Sequence, residues 1–226
     1  MKILGIAGEQ GSGKDYFYEQ LRRMYQDTDT RIWRMGFADG VRREVALEVF
    51  TALGFSVEEA AGAGNWQKPY TAGQRWLLQQ WGTEFRRSQD PQYWVKYGLD
   101  YITERYQDGD IWCVTDVRFA NEAEAIQDAG GVVVRVQAAP PIRAKRLGVG
   151  LHELEQRSKH ASEVIDFNAD HYVVNDKSLV MPPYLLEYLG LPGGCFWCAI
   201  VQPHLFHDNG VAFAKDADFM QEAGLL

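Results

Sequence analysis

The segment Gly8-Glu9-Gln10-Gly11-Ser12-Gly13-Lys14 sets three glycines and a lysine directly after the apolar run at 3–7, with a helical pattern (Tyr16, Phe17, Leu21, Met24) following at once. Strand, glycine-rich turn and helix in that order are the context a phosphate-binding loop requires. The glycines let backbone N–H groups turn inward around an anion, and the helix N-terminus adds its partial positive charge. Lys14 then reaches the β- and γ-phosphates as a mobile point charge. Gly8, Gly11, Ser12, Gly13, Lys14 and Asp15 are therefore the candidate ATP-binding residues. Asp15 stands where many such loops use Ser or Thr to hold Mg²⁺. Its carboxylate suits the ion directly or through water, and equally suits a helix start, where negative charge is favoured.

The elements that must carry this loop are legible from periodicity. Apolar runs at 2–7, 31–37, 111–115, 132–136 and 171–174 read as strands, and helical spacing fills 14–26, 40–53, 72–88, 92–106, 120–129 and 140–148. Strands separated by helices imply right-handed crossovers and a mostly parallel sheet covered on both faces. The expectation is a three-layer α/β sandwich with a five-stranded sheet and a C-terminal extension. Residues 55–70, with Gly62, Gly64 and Pro69, read as a flexible connection, and the alternation is lost from about Pro182. That divides the chain into a domain at 1–181 and an extension at 182–226.

In such sheets ligands bind beyond the carboxyl ends of the strands. After the second strand come Asp39, Arg42 and Arg43; after the third, Asp116, Arg118, Asn121 and Glu122; after the fourth, Arg143, Arg146 and Arg157. Phosphoryl transfer spreads negative charge over several oxygens, which Lys, Arg and Mg²⁺ stabilise in a water-poor site. An acceptor that is already a phosphate is an anionic nucleophile and needs no strong general base, so scattered arginines without a His-based dyad suit it. Asp116 ends a buried strand, the place for an acid that orients Mg²⁺ or its waters; its alternative role is to cap the helix at 120–129.

A net charge of −8 without a dense basic stripe argues against polymeric nucleic acid as a partner. No run approaches the roughly 18 apolar residues of a membrane helix, and the first apolar run is too short for a signal peptide. Three cysteines in 226 residues do not suggest a disulfide framework, which points to a reducing cytoplasm. In the tail, Cys195, Cys198, His204 and His207 follow a C-x₂-C-x₅-H-x₂-H spacing. The ligand types suit tetrahedral Zn²⁺ and the spacing is not that of a standard finger; two small buried cysteines beside loop histidines are the alternative. Phe196, Trp197, Phe206 and Phe213 suit a homodimer contact or a cover for the core.

Taken together, Gly8 to Asp15, Trp81-Gly82-Thr83-Glu84-Phe85-Arg86-Arg87 with Trp94 beyond, Asp116-Val117-Arg118-Phe119-Ala120-Asn121-Glu122 and His160-Ala161-Ser162-Glu163 resemble the bacteriophage-type deoxynucleoside monophosphate kinases of the P-loop kinase superfamily. The layout is also similar to that of phosphomevalonate and dephospho-coenzyme A kinases. The resemblance covers about 1–178. It implies transfer of the γ-phosphoryl group of Mg²⁺-bound ATP to a (deoxy)nucleoside monophosphate, in the host cytoplasm if the chain is phage-encoded. It further implies an acceptor site of Asp39, Arg42 or Arg43, Thr83, Glu84 and Arg87, with Asp116 and Arg118 between the two phosphates. It places a helical acceptor-binding region near 38–106 and a lid near 140–163, in which the segment from Arg143 to His160 would close over ATP with Arg146 and Arg157 as its transition-state arginines. A P-loop kinase of another phosphorylated acceptor and a non-catalytic ATP-binding switch are the competing readings.

Overall fold

Alternate residues of each central strand face opposite layers. Leu4 and Ile6 of β1 (Lys2–Ala7) pack with Ile111 and Cys113 of β3 (Ile111–Val117) and with Val134 and Val136 of β4 (Val132–Gln137) in one core. Ile3, Trp112, Val114 and Val133 pack into a second core across the sheet. Burial on both faces is what a parallel sheet demands, and every strand pairing is parallel, in the order β2-β3-β1-β4-β5. The outer strands are β2 (Ile32–Met35) and β5 (His171–Val174). The computed structural model of the chain describes residues 1–190 apart from 27, 64, 65, 67–69, 160–162, 178, 180 and 182. The expected zinc set Cys195, Cys198, His204 and His207, and His160 of the expected lid, thus lie outside the described residues.

The first core is closed by α1 (Lys14–Met24), through Phe17 and Leu21, and by α9 (Pro183–Leu189), through Leu185, Leu186 and Leu189. The second is closed by α2 (Phe37–Glu44), α5 (Tyr93–Arg105) and α6 (Ala120–Asp128), with Trp94, Ile102 and Ile126 buried. The boundary expected at 181 falls just before α9. That helix is bound into the domain: Leu189 O accepts from Tyr25 Oη at 2.7 Å, and Tyr188 Oη donates to Ile3 O at 3.2 Å.

Three local expectations change. Residues 55–70 are not wholly a connection, because α3 (Val57–Ala63) forms within them; Glu59 and Ser56 cap its start reciprocally. The helix expected at 40–53 is α2 followed by a π-helical segment, Val45–Phe50. The one expected at 72–88 is α4 (Ala72–Gln79) followed by a second π-helical segment, Gln80–Arg87. Widened turns of this kind re-aim side chains and cluster at functional sites. Beyond β4 lie α7 (Pro140–Leu147) and α8 (Leu151–Arg157). No helix among the described residues is long and apolar enough to cross a membrane.

Candidate functional site

The carboxyl ends of β1 and β3 lie side by side, with Ala7 in register with Val117. The residue after Ala7 begins the glycine-rich loop, and Asp116 and Arg118 flank Val117. Pairing of these two strands therefore brings the loop and the Asp-Val-Arg phrase to one end of the sheet.

The loop is shaped by its glycines. Gly13 sits at φ 98° as the left-handed residue before α1, and a Cβ there would overlap Asn175 Nδ2. Gly8 has φ 150°, and a Cβ would overlap Val136 O. Asn175 follows β5, is buried, and donates from Nδ2 to Ser12 O at 2.9 Å. Helix α7 clamps the loop from outside. Arg143 Nε donates to Gln10 O at 2.8 Å, and Arg146 donates to Gly11 O, Ser12 O and Asn175 O at 3.3, 3.2 and 2.7 Å. With its carbonyls held by α7 and β5, the loop is fixed for its N–H groups to meet an anion. Lys14 Nζ lies on the same loop, donating to Gly8 O at 2.5 Å and Glu9 O at 3.1 Å. Ser12 Oγ is buried and has no hydrogen-bond partner among the described residues.

Gly13→Ala should therefore do two kinds of damage. It imposes left-handed strain of about 1–2 kcal/mol and drives Cβ into the side chain that holds Ser12. Gly148, at φ 65° but with open space around its Cβ position, carries the strain alone. Thermal unfolding should show Gly13→Ala well below Gly148→Ala, and only Gly13→Ala should abolish ATP binding by calorimetry.

At the same end of the sheet opens a cleft of about 150 Å³, with Phe37, Val41, Leu78, Trp94 and Phe119 in its wall and Tyr70, Arg75, Gln79, Thr83, Arg87, Asp116, Arg118, Glu122 and Glu163 as polar groups. Its charges are built as pairs. Arg87 donates to Glu122 Oε1 while its guanidinium lies 4.0 Å from the Phe119 ring centre. Glu122 Oε2 accepts from Arg118 N at 2.7 Å and Phe119 N at 3.1 Å, which caps α6. Burial pushes the Glu122 carboxyl up to about 7, against the pull of Arg87 and the Arg118 N–H. Arg118 Nη1 meets Glu163 Oε1 at 2.6 Å. Burial opposes the charge of Arg118, but Glu163, Asp116 and Glu122 outweigh it and hold its pKa above the ordinary value.

The expected site residues fall into two groups. Arg146 lies on the loop residues, and Thr83, Arg87, Asp116 and Arg118 line the cleft. Asp116 does not cap the helix at 120–129: its Oδ1 and Oδ2 accept from Phe37 N at 2.7 Å and Ala38 N at 2.8 Å, so it caps α2 from the neighbouring strand β3. Asp39 and Arg42 pair with each other, and Arg42 donates to Tyr70 Oη at 2.6 Å, so Arg42 borders the cleft through Tyr70. Arg43 and Glu84 are exposed and outside the cleft wall, as expected of residues on the outer side of a helical turn. Arg157 is also not at the loop; it forms an i,i+4 pair with Glu153 on α8 at 2.5 Å. Asp15 occupies the first turn of α1. Asn175 is absent from the expected set, and Glu122 and Glu163, noted after the third strand and in the His-Ala-Ser-Glu phrase, carry no assigned role there. A polar residue directly after the fifth strand was the available signal for Asn175.

The parallel five-stranded sheet, the helices on both faces and the glycine-rich loop at the first crossover make this a P-loop kinase-like α/β sandwich, the class expected from the sequence. No protein-family model and no curated protein sequence matches the chain. Among solved structures it is similar to TT1252 from Thermus thermophilus, at 17% identity and TM-score 0.46 over 83% of this chain and 92% of that one. It is also similar to the Mycobacterium tuberculosis APS kinase CysC, solved with AMPPNP and APS (17%, TM-score 0.43, 78% and 90%). A third is shikimate kinase from Bacteroides thetaiotaomicron (12%, TM-score 0.36, 83% and 94%). Two of the three are small-molecule kinases by name, but likeness at this level does not decide the reaction, which rests on the chain's own residues.

Proposed function

We propose that the protein is an ATP-dependent kinase that phosphorylates a (deoxy)nucleoside monophosphate, giving ADP and the nucleoside diphosphate. The observation that carries this reading is the clamped glycine-rich loop at the same end of the sheet as an apolar cleft lined by three arginines, Arg75, Arg87 and Arg118. The loop N–H groups and Lys14 take the β- and γ-phosphates of ATP. The acceptor monophosphate enters the cleft with its base against Phe37, Val41 and Trp94, and its phosphate toward Arg87 and Arg118. A phosphate oxygen of the acceptor then bonds to Pγ as the bond from Pγ to the β–γ bridging oxygen breaks, and ADP leaves. Arginine charge beside the transferring group stabilises the negative charge that spreads over its oxygens.

Mg²⁺ arrives on the nucleotide as part of the substrate, and most of its ligands are phosphate oxygens and water. Asp15 and Asp116 fit that ion as hard oxygen donors; each Asp116 oxygen accepts one backbone N–H and keeps a second lone pair. Among the described residues no group of three or more His, Cys, Asp or Glu could hold a metal ion.

The test is ADP formation from Mg²⁺–ATP with each deoxy- and ribonucleoside monophosphate supplied singly. Stimulation well above the ATPase background by one or more of them is expected. A flat response across the panel overturns the nucleotide acceptor and favours another small phosphorylated acceptor or an ATP-binding switch.

A further inference from the structure

Three carboxylates line the cleft, and their oxygens are not equally engaged. Both oxygens of Asp116 accept backbone N–H groups from the start of α2. Both oxygens of Glu122 are engaged as well, one by Arg87 and the other by the N–H groups of Arg118 and Phe119. Glu163 differs. Its Oε1 holds Arg118 Nη1 at 2.6 Å, but its Oε2 is buried and has no hydrogen-bond partner among the described residues, and the side chain is only 10% exposed. A buried carboxylate oxygen without a donor is costly, and folded proteins rarely keep one without a use for it.

The surroundings narrow that use. A lone pair on an anionic oxygen repels phosphate, so Glu163 Oε2 is not part of the acceptor-phosphate site that Arg87 and Arg118 form. It calls for an N–H or O–H donor on the neutral part of the ligand. Resting on the kinase reading above, we infer that Glu163 is an acceptor-recognition residue: its Oε2 accepts a hydrogen bond from the nucleoside, from either a base N–H or the sugar 3′-hydroxyl. The same side chain, through Oε1, aims Arg118 at the acceptor phosphate. One carboxylate thereby reads the nucleoside and sets the arginine that holds its phosphate. A site built around such an acceptor rejects analogues that lack the donor more strongly than an apolar pocket rejects a change of shape.

The experiment compares kcat/KM for a monophosphate the wild type turns over with two analogues, its 2′,3′-dideoxy form and a form lacking or methylated at the base N–H donor. Wild type should lose about 10- to 150-fold on one analogue, the range for a hydrogen bond to a charged group, and the analogue affected identifies the donor. In Glu163→Ala that pair should become equivalent. Glu163→Gln, which keeps volume and one acceptor oxygen, should discriminate to an intermediate degree, and it reports on the site even if the alanine variant folds poorly. The inference is overturned if wild type treats both analogues like the parent, since water then satisfies the oxygen. It is also overturned if Glu163→Ala or Glu163→Gln keeps full discrimination, or if either variant lowers turnover of parent and analogues equally, which is the signature of a role through Arg118 alone. Absence of turnover with every monophosphate is a different failure, of the kinase reading itself.

Discussion

Lys14→Ala should lower ADP formation at least ~100-fold, the scale on which removal of one preorganised charge from a transition-state site is felt. The amine lies on its own loop, donating to the carbonyls of Gly8 and Glu9. On the proposed reading it exchanges those carbonyls for β- and γ-phosphate oxygens, and its charge would reach the transferring group from a backbone already fixed by Arg143, Arg146 and Asn175. Because the loop is clamped by three other side chains, loss of Lys14 should move the unfolding midpoint little while turnover collapses. Steady-state kinetics beside thermal unfolding separates the two effects. Near-normal turnover in a folded Lys14→Ala overturns the loop's role.

The strands were readable because a parallel sheet buries both faces and leaves short, continuous apolar runs; 2–7 and 171–174 match β1 and β5 at both ends. The glycine-rich loop was readable because its chemistry is local, within one strand–turn–helix. What escaped was long-range. Asp116 caps a helix whose first N–H groups lie 79 and 78 residues earlier in the chain, a pairing that only the β2–β3 register creates. Arg42 and Arg43 are adjacent, and periodicity alone does not say which one turns toward Tyr70. Helix α9 follows a break in the alternation, so its apolar residues gave no sign that they close a core begun by β1. The two π-helical segments have no signature in periodicity, because a single widened turn leaves the apolar spacing of its neighbours intact.

Arg87→Ala should have the largest effect on stability of any cleft substitution, and one that depends on pH. Arg87 is 12% exposed and its partner Glu122 only 2%. Removing one member of a buried ion pair leaves the other charge uncompensated, which costs about 3–5 kcal/mol. The sign follows from Glu122, whose folded pKa of about 7 lies above its unfolded value near 4.3. Between those values the folded state binds the proton more tightly, so stability is lost as pH rises through that window. Arg87 is one of the groups pulling that pKa down. Without it the folded pKa climbs and the loss extends to higher pH. Chemical denaturation should therefore show a modest deficit for Arg87→Ala at pH 5.5, where Glu122 is protonated, and the full deficit at pH 8. Adding Glu122→Gln should restore much of the stability at pH 8 by removing the unpaired charge. It should not restore acceptor binding: KM for the monophosphate should stay raised by about 10- to 100-fold, the scale of a lost charge-assisted hydrogen bond, while ATP affinity is little changed. Recovery of acceptor KM together with stability would make Arg87 a structural partner of Glu122 and nothing more. A matching fall in ATP affinity would place it on the donor side of the site.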